Sequence, residues 1–160
     1  MISNVSYKGY FTVEHVRNGV VIAKERFSNL VTNEGVANLF DAGFGGATAV
    51  DPWYIGLINN SPTPTILTSD TLAAHSGWTE FTSYSGTRQT WIDTATASRV
   101  KVTTSVAVFD ISATASIYGL FLASVTSGTS GVIWSEGAFD VVKPVVSSDT
   151  LNATYEIELA

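Results

Sequence analysis

At 160 residues the chain has the length of one domain, long enough to bury most of the apolar surface that its unfolded form exposes. Fourteen acidic against eight basic residues give a net charge of −6, and without a Lys/Arg cluster to track phosphates a nucleic-acid partner is excluded from the expectations. The lack of cysteine rules out a disulfide framework, a zinc ribbon and thiol chemistry, and without a run of about 18 apolar residues no membrane partner is expected.

A hydrophobic fraction of 45% with only 14% charged residues describes a folded chain with a sparsely charged surface, as expected where neighbours cover part of it. Thirty-eight serines and threonines, with Val, Ile and aromatic residues, favour pleated sheet. The start, MISNVSYKGYFTVEH, lacks the basic opening and apolar core of a signal peptide, so synthesis and folding in a cytoplasm are expected.

Residues 6 to 17 alternate as a strand, with Phe11, Val13 and His15 on one face and Tyr10, Thr12, Glu14 and Val16 on the other. Asn18-Gly19 is the strongest hairpin signal, because both central positions of a type I′ turn need positive φ, and a returning strand follows from Val20 to Phe27. The period then changes. Val36, Leu39 and Phe40 follow i, i+3, i+4 spacing and predict one short helix near residues 33–42, capped by Thr32 or Asn33, with Glu34 in its positive first turn. Too short to stand alone, this helix is expected to dock its Val/Leu/Phe stripe on a sheet.

Trp53 to Ile58 is apolar on both faces, as in a central two-sided strand. A loop with Pro62 and Pro64 leads into Thr68–Trp91, a stretch that fits neither strand alternation nor a long helical period. Within it, Ser69 or Asp70 caps a single turn that Gly77 stops. From Val100 to Phe109 alternation resumes, residues 115 to 139 read as a hairpin across SGTSG, and Asp140 to Pro144 interrupts the pattern. The last strand, Leu151 to Leu159, sets Leu151, Ala153, Tyr155, Ile157 and Leu159 against polar alternates. The expectation is one all-β domain over 1–160 with an N-terminal hairpin at 6–27. Its architecture is a β-sandwich, immunoglobulin-like or jelly-roll-like, of about seven or more mainly antiparallel strands with the one helix.

Asp70, His75 and Ser76 are the residue types of a nucleophilic triad, but two of them are adjacent and no G-x-S-x-G elbow is present. Local capping by Asp70 and packing by His75 is the stronger reading. Asp41, Asp51, Glu80 and Asp93 offer carboxylates for glycosidase chemistry, yet most suit caps and turns. Two histidines sixty residues apart and no acidic calcium loop give no metal site, and no cofactor is expected. Trp53 and Trp134 belong to strands and are expected in the core. Trp78 and Trp91 are the expected subunit-interface anchors, with Glu80 and Arg88 pairing beside them to fix the stretch. Sugar stacking on these four indoles is the competing reading.

The series Asn29-Leu-Val-Thr-Asn-Glu-Gly35, Trp53-Tyr-Ile-Gly-Leu57, Asp70-Thr-Leu-Ala-Ala-His-Ser-Gly-Trp-Thr-Glu80 and Arg88-Gln-Thr-Trp91 resembles a family of small structural proteins of tailed bacteriophages, encoded among head and tail genes. The resemblance spans roughly residues 29 to 159 and takes in Gly119-Leu-Phe-Leu122 and Asp149-Thr-Leu151; the N-terminal hairpin departs from the shorter members. It implies a virion protein without an active site: a decoration or cement protein on the outer capsid surface, or a tail component. The expected partners are the major capsid protein and further copies of the chain, as a homotrimer that resists separation of coat subunits. A tail adaptor or fibre module is the alternative in the same setting, and a carbohydrate-binding module the alternative of another class.

Overall fold

The computed structural model describes residues 6–96 and 98–159. Among them are eleven strands and one helix, and the fold is all-β. In chain order these are β1 (Tyr7–Arg17), β2 (Val20–Ser28), β3 (Leu30–Val31), α1 (Asn33–Phe44), β4 (Trp53–Asn59), β5 (Glu80–Phe81), β6 (Gln89–Asp93), β7 (Val100–Ser105), β8 (Ala107–Asp110), β9 (Ala115–Ala123), β10 (Ile133–Val145) and β11 (Thr150–Leu159).

Every pairing is antiparallel. One sheet runs β2-β1-β11, with β7 and β8 both on the far side of β11. The other runs β3-β10-β9-β4, with β5 and β6 both on β4. Pairing of β6 with β7 joins the two along one side. The β1–β2 turn is the one the dipeptide predicts: Asn18 and Gly19 have φ of 52° and 75°. The inward face of β1 then delivers Phe11, Val13 and His15 to the interior.

Two details differ from the sequence expectation. The Asp140–Pro144 segment does not end its strand. β10 continues to Val145, because a shift in register between Ala138 and Lys143 absorbs the irregular residues and lets Pro144 lie opposite Ser116. The Val100–Phe109 run is divided at Val106, and its halves pair with opposite ends of β11.

The main core lies between the sheets, where Phe11 packs on Tyr155 at 4.6 Å and Tyr84 meets Phe109 edge-on at 5.0 Å. A second core lies outside them. Ile58, Phe121, Ala123 and Ile133 point away from the interior and are covered by Leu72 and Trp78. Those two belong to the segment 60–79, a strap across the outer face of the second sheet. Gly77 is required there, since a Cβ on it would stand 2.2 Å from the carbonyl oxygen of Thr65, whose amide donates to the Gly77 carbonyl.

Candidate functional site

The four residues expected to anchor a subunit interface are all used within the chain. Trp78 is buried in the outer core, where its ring packs on Phe121 at 4.9 Å and its Nε1 donates to Glu136 Oε2 at 3.2 Å. Trp91 is not in irregular chain but in β6, opposite Trp53 of β4; its ring meets Tyr155 at 5.2 Å and its Nε1 donates to Thr103 at 2.9 Å. Arg88, also buried, forks onto Glu80 and donates two further hydrogens to the carbonyls of Val125 and Gly128. The expected Glu80–Arg88 pair therefore forms. Together these residues order the Thr68–Trp91 stretch, but Trp78 and the Arg88 guanidinium are buried and Trp91 reaches only the wall of a groove.

The residues weighed as a triad do not join into one relay. His75 stacks on Trp78 at 3.9 Å and its Nδ1 lies 3.2 Å from the Trp78 carbonyl, while Asp70 accepts from the Leu67 amide and lies against Glu136. Asp93 pairs with Lys101, and Glu80 with Arg88. Among the described residues no group of three His, Asp or Glu side chains is placed to hold a metal ion.

Buried charge gathers instead at joints of the fold. Asp149 accepts from Arg17 Nε and Nη2 and from the Val146 amide, and lies 2.8 Å from His15 Nε2. Those bonds, the Arg17 ones foremost, hold its carboxyl well below the usual carboxylate range against the cost of burial. Glu136 is the opposite case. Fully buried on the outer face of β10, it is pushed up to about 8, first by burial and then by the neighbouring Asp70 carboxylate.

One open apolar surface lies on α1. Thr32 caps the helix by accepting from the Gly35 amide at 3.0 Å, and Glu34 Oε2 accepts from the amides of Leu72 (2.9 Å) and Ile133 (2.7 Å). Gly35 presses on β10 so closely that a Cβ would come 2.7 Å from the Trp134 carbonyl oxygen. The first turn is therefore fixed to both the strap and the sheet. Beyond it the expected docking of the apolar stripe does not occur: Leu39, Phe40 and Phe44 are 39%, 53% and 87% exposed, with the two phenyl rings stacked at 6.0 Å. First-turn anchoring leaves the helix free to project, so its stripe need not bury itself.

Beside this projecting end a groove of about 380 Å³ opens into the interior, lined by Leu39 and Ala42 of α1, Val50, Trp53, Trp91 and Tyr155. The Asp93–Lys101 pair stands among its walls. Around it Trp134 Nε1 and Asn29 Nδ2 both donate to Tyr155 Oη, and Trp91 Nε1 donates to Thr103. These rings thus offer a visitor apolar surface rather than free hydrogen bonds. Compared with known protein families and with curated proteins, the chain finds no match.

Sequence reasoning named Leu39 and Phe40 but assigned them to the core, and it passed over Phe44 and the groove. The i, i+4 spacing of Phe40 and Phe44 is the signal that was present.

Proposed function

We propose that the chain is a structural protein of a tailed-bacteriophage virion, a decoration protein that sits on the outer capsid as a homo-oligomer and binds across adjacent coat subunits. The observation that carries this reading is the end of α1. Leu39, Phe40 and Phe44 form an exposed apolar projection beside an apolar groove, the kind of surface that a soluble fold leaves open where another protein covers it. The acidic balance of the chain suits a surface away from packaged DNA. The sequence resemblance supports the setting, and the stretch that carries it holds the strap in shape.

A carbohydrate-binding module needs an aromatic face open to solvent. Trp78, Trp91 and Trp134 are buried and Trp53 is half-buried, which weighs against sugar stacking. The test is binding of the purified protein to expanded heads, together with its mass in solution. Saturable binding by a trimer, lost on Phe40→Ser/Phe44→Ser, is the expected result. Failure to bind heads, immunolabelling of tails, or glycan affinity would overturn the proposal.

A further inference from the structure

Glu136 is the least comfortable charge-bearing group in the fold. Its side chain is wholly buried on the outer face of β10, one oxygen accepts from Trp78, and the other, Oε1, has no donor within reach. An ionised carboxylate there would be both desolvated and half-unpaired. Asp70 of the strap, 6% exposed, lies within hydrogen-bonding reach, and its own Oδ2 is occupied by the Leu67 amide. Two carboxyl groups so placed cannot both stay ionised at little cost, and one proton between them supplies the missing donor.

We infer that the buried Glu136 carboxyl carries a proton directed at Asp70 and that this proton latches the strap, residues 60–79, onto the outer face of the second sheet. With the proton in place, strap and strand are joined by a neutral carboxyl bond and by the Trp78 indole. When it leaves, two negative charges face each other beneath the middle of the strap, whose backbone bonds to Asn59 and Ser116 hold only its ends, and the cover over Ile58, Phe121, Ala123 and Ile133 loosens.

The other charged groups around the contact are accounted for. Glu34 of α1 is fixed by the Leu72 and Ile133 amides, and Arg88, whose guanidinium lies 5.1 Å from the centre of the Phe121 ring, is engaged by Glu80. His75 stacks on the far partner of the bond, Trp78, and is the one other titratable side chain on the strap besides Asp70. The direction follows from the raised carboxyl: its contribution is complete below about pH 4.5, the ordinary value, and is lost as pH rises through about 8.

The experiment is hydrogen exchange of strap and β1/β11 amides between pH 6 and 10, corrected for the intrinsic rate, on the intact chain. Expected is a loss of strap protection of tenfold or more centred near pH 8, with β1/β11 unchanged, absent in Glu136→Gln and retained in His75→Gln. A transition that survives Glu136→Gln, or that vanishes in His75→Gln, overturns the inference. A carbon-13 titration of the Glu136 carboxyl in the unsubstituted protein decides the matter should a variant not fold. A midpoint near 8 supports the latch, and one below 6 refutes it. None of these readouts depends on the virion reading.

Discussion

Arg88 meets Glu80 through two parallel hydrogen bonds, Nε to Oε1 at 2.9 Å and Nη2 to Oε2 at 2.7 Å, with the guanidinium 2% exposed and the carboxylate 20%. Because the same guanidinium also holds the Val125 and Gly128 carbonyls, it ties β5 to the turn between β9 and β10. Lysine cannot reproduce that fork. Glu80→Ala, which strands a buried cation, should cost about 3 kcal/mol in urea unfolding, and Arg88→Lys should recover little of the native stability.

Glu34 joins three elements through one oxygen. Its removal leaves the amides of Leu72 and Ile133 without an acceptor, at about 1–3 kcal/mol for each buried donor. Glu34→Ala should therefore lower stability, and its strap amides should exchange faster than those of β1. Glu34→Gln, which keeps one acceptor, should fall between the two proteins.

Asp149 sets an acid limit. Its folded carboxyl lies below its unfolded value, so its contribution is complete above about pH 4 and is lost as pH falls below that. Unfolding free energy measured from pH 5 to 2 should fall more steeply in the unsubstituted protein than in Asp149→Asn. At neutral pH that variant should be less stable by about 3 kcal/mol, since it loses an ionic acceptor between His15 and Arg17.

Phe44 is exposed enough that its replacement costs the fold almost nothing. Phe44→Ser should change stability by no more than about 0.5 kcal/mol. If α1 carries the docking surface, the same variant should still lose head binding or sedimentation mass. Equal binding by the two proteins would move the docking surface elsewhere.

The elements legible in the sequence were those whose signal is local. Asn18-Gly19 carries its own turn, Thr32 its own cap, and the inward alternates of Leu151, Ala153 and Tyr155 their own face. What escaped depends on partners remote in the chain. Pairing at Gly119 and Ile117 skips Tyr118, so Ile117 turns inward while Phe121 and Ala123 face out, where strict alternation would put all three on one side. Trp91 looked irregular because β6 is a short strand defined by β4 and β7 rather than by its own period. The Glu80–Arg88 pair was readable from its aromatic flanks. The exposure of Phe40 and the meeting of Asp70 with Glu136 were not, since each follows from where the first turn of α1 and the strap come to rest.

The pairing of β1 with β11 in register from Tyr7 opposite Leu159 to Val16 opposite Thr150 also sets an order of assembly. During vectorial synthesis β1 can fold at once onto β2, its neighbour across a two-residue turn, but its other edge waits until residues 150–159 have left the ribosome. Until then that hairpin carries an unpaired edge with Phe11 and Val13 uncovered. The nascent chain is then most open to pairing with a neighbouring polypeptide, and the closing strand ends that exposure last.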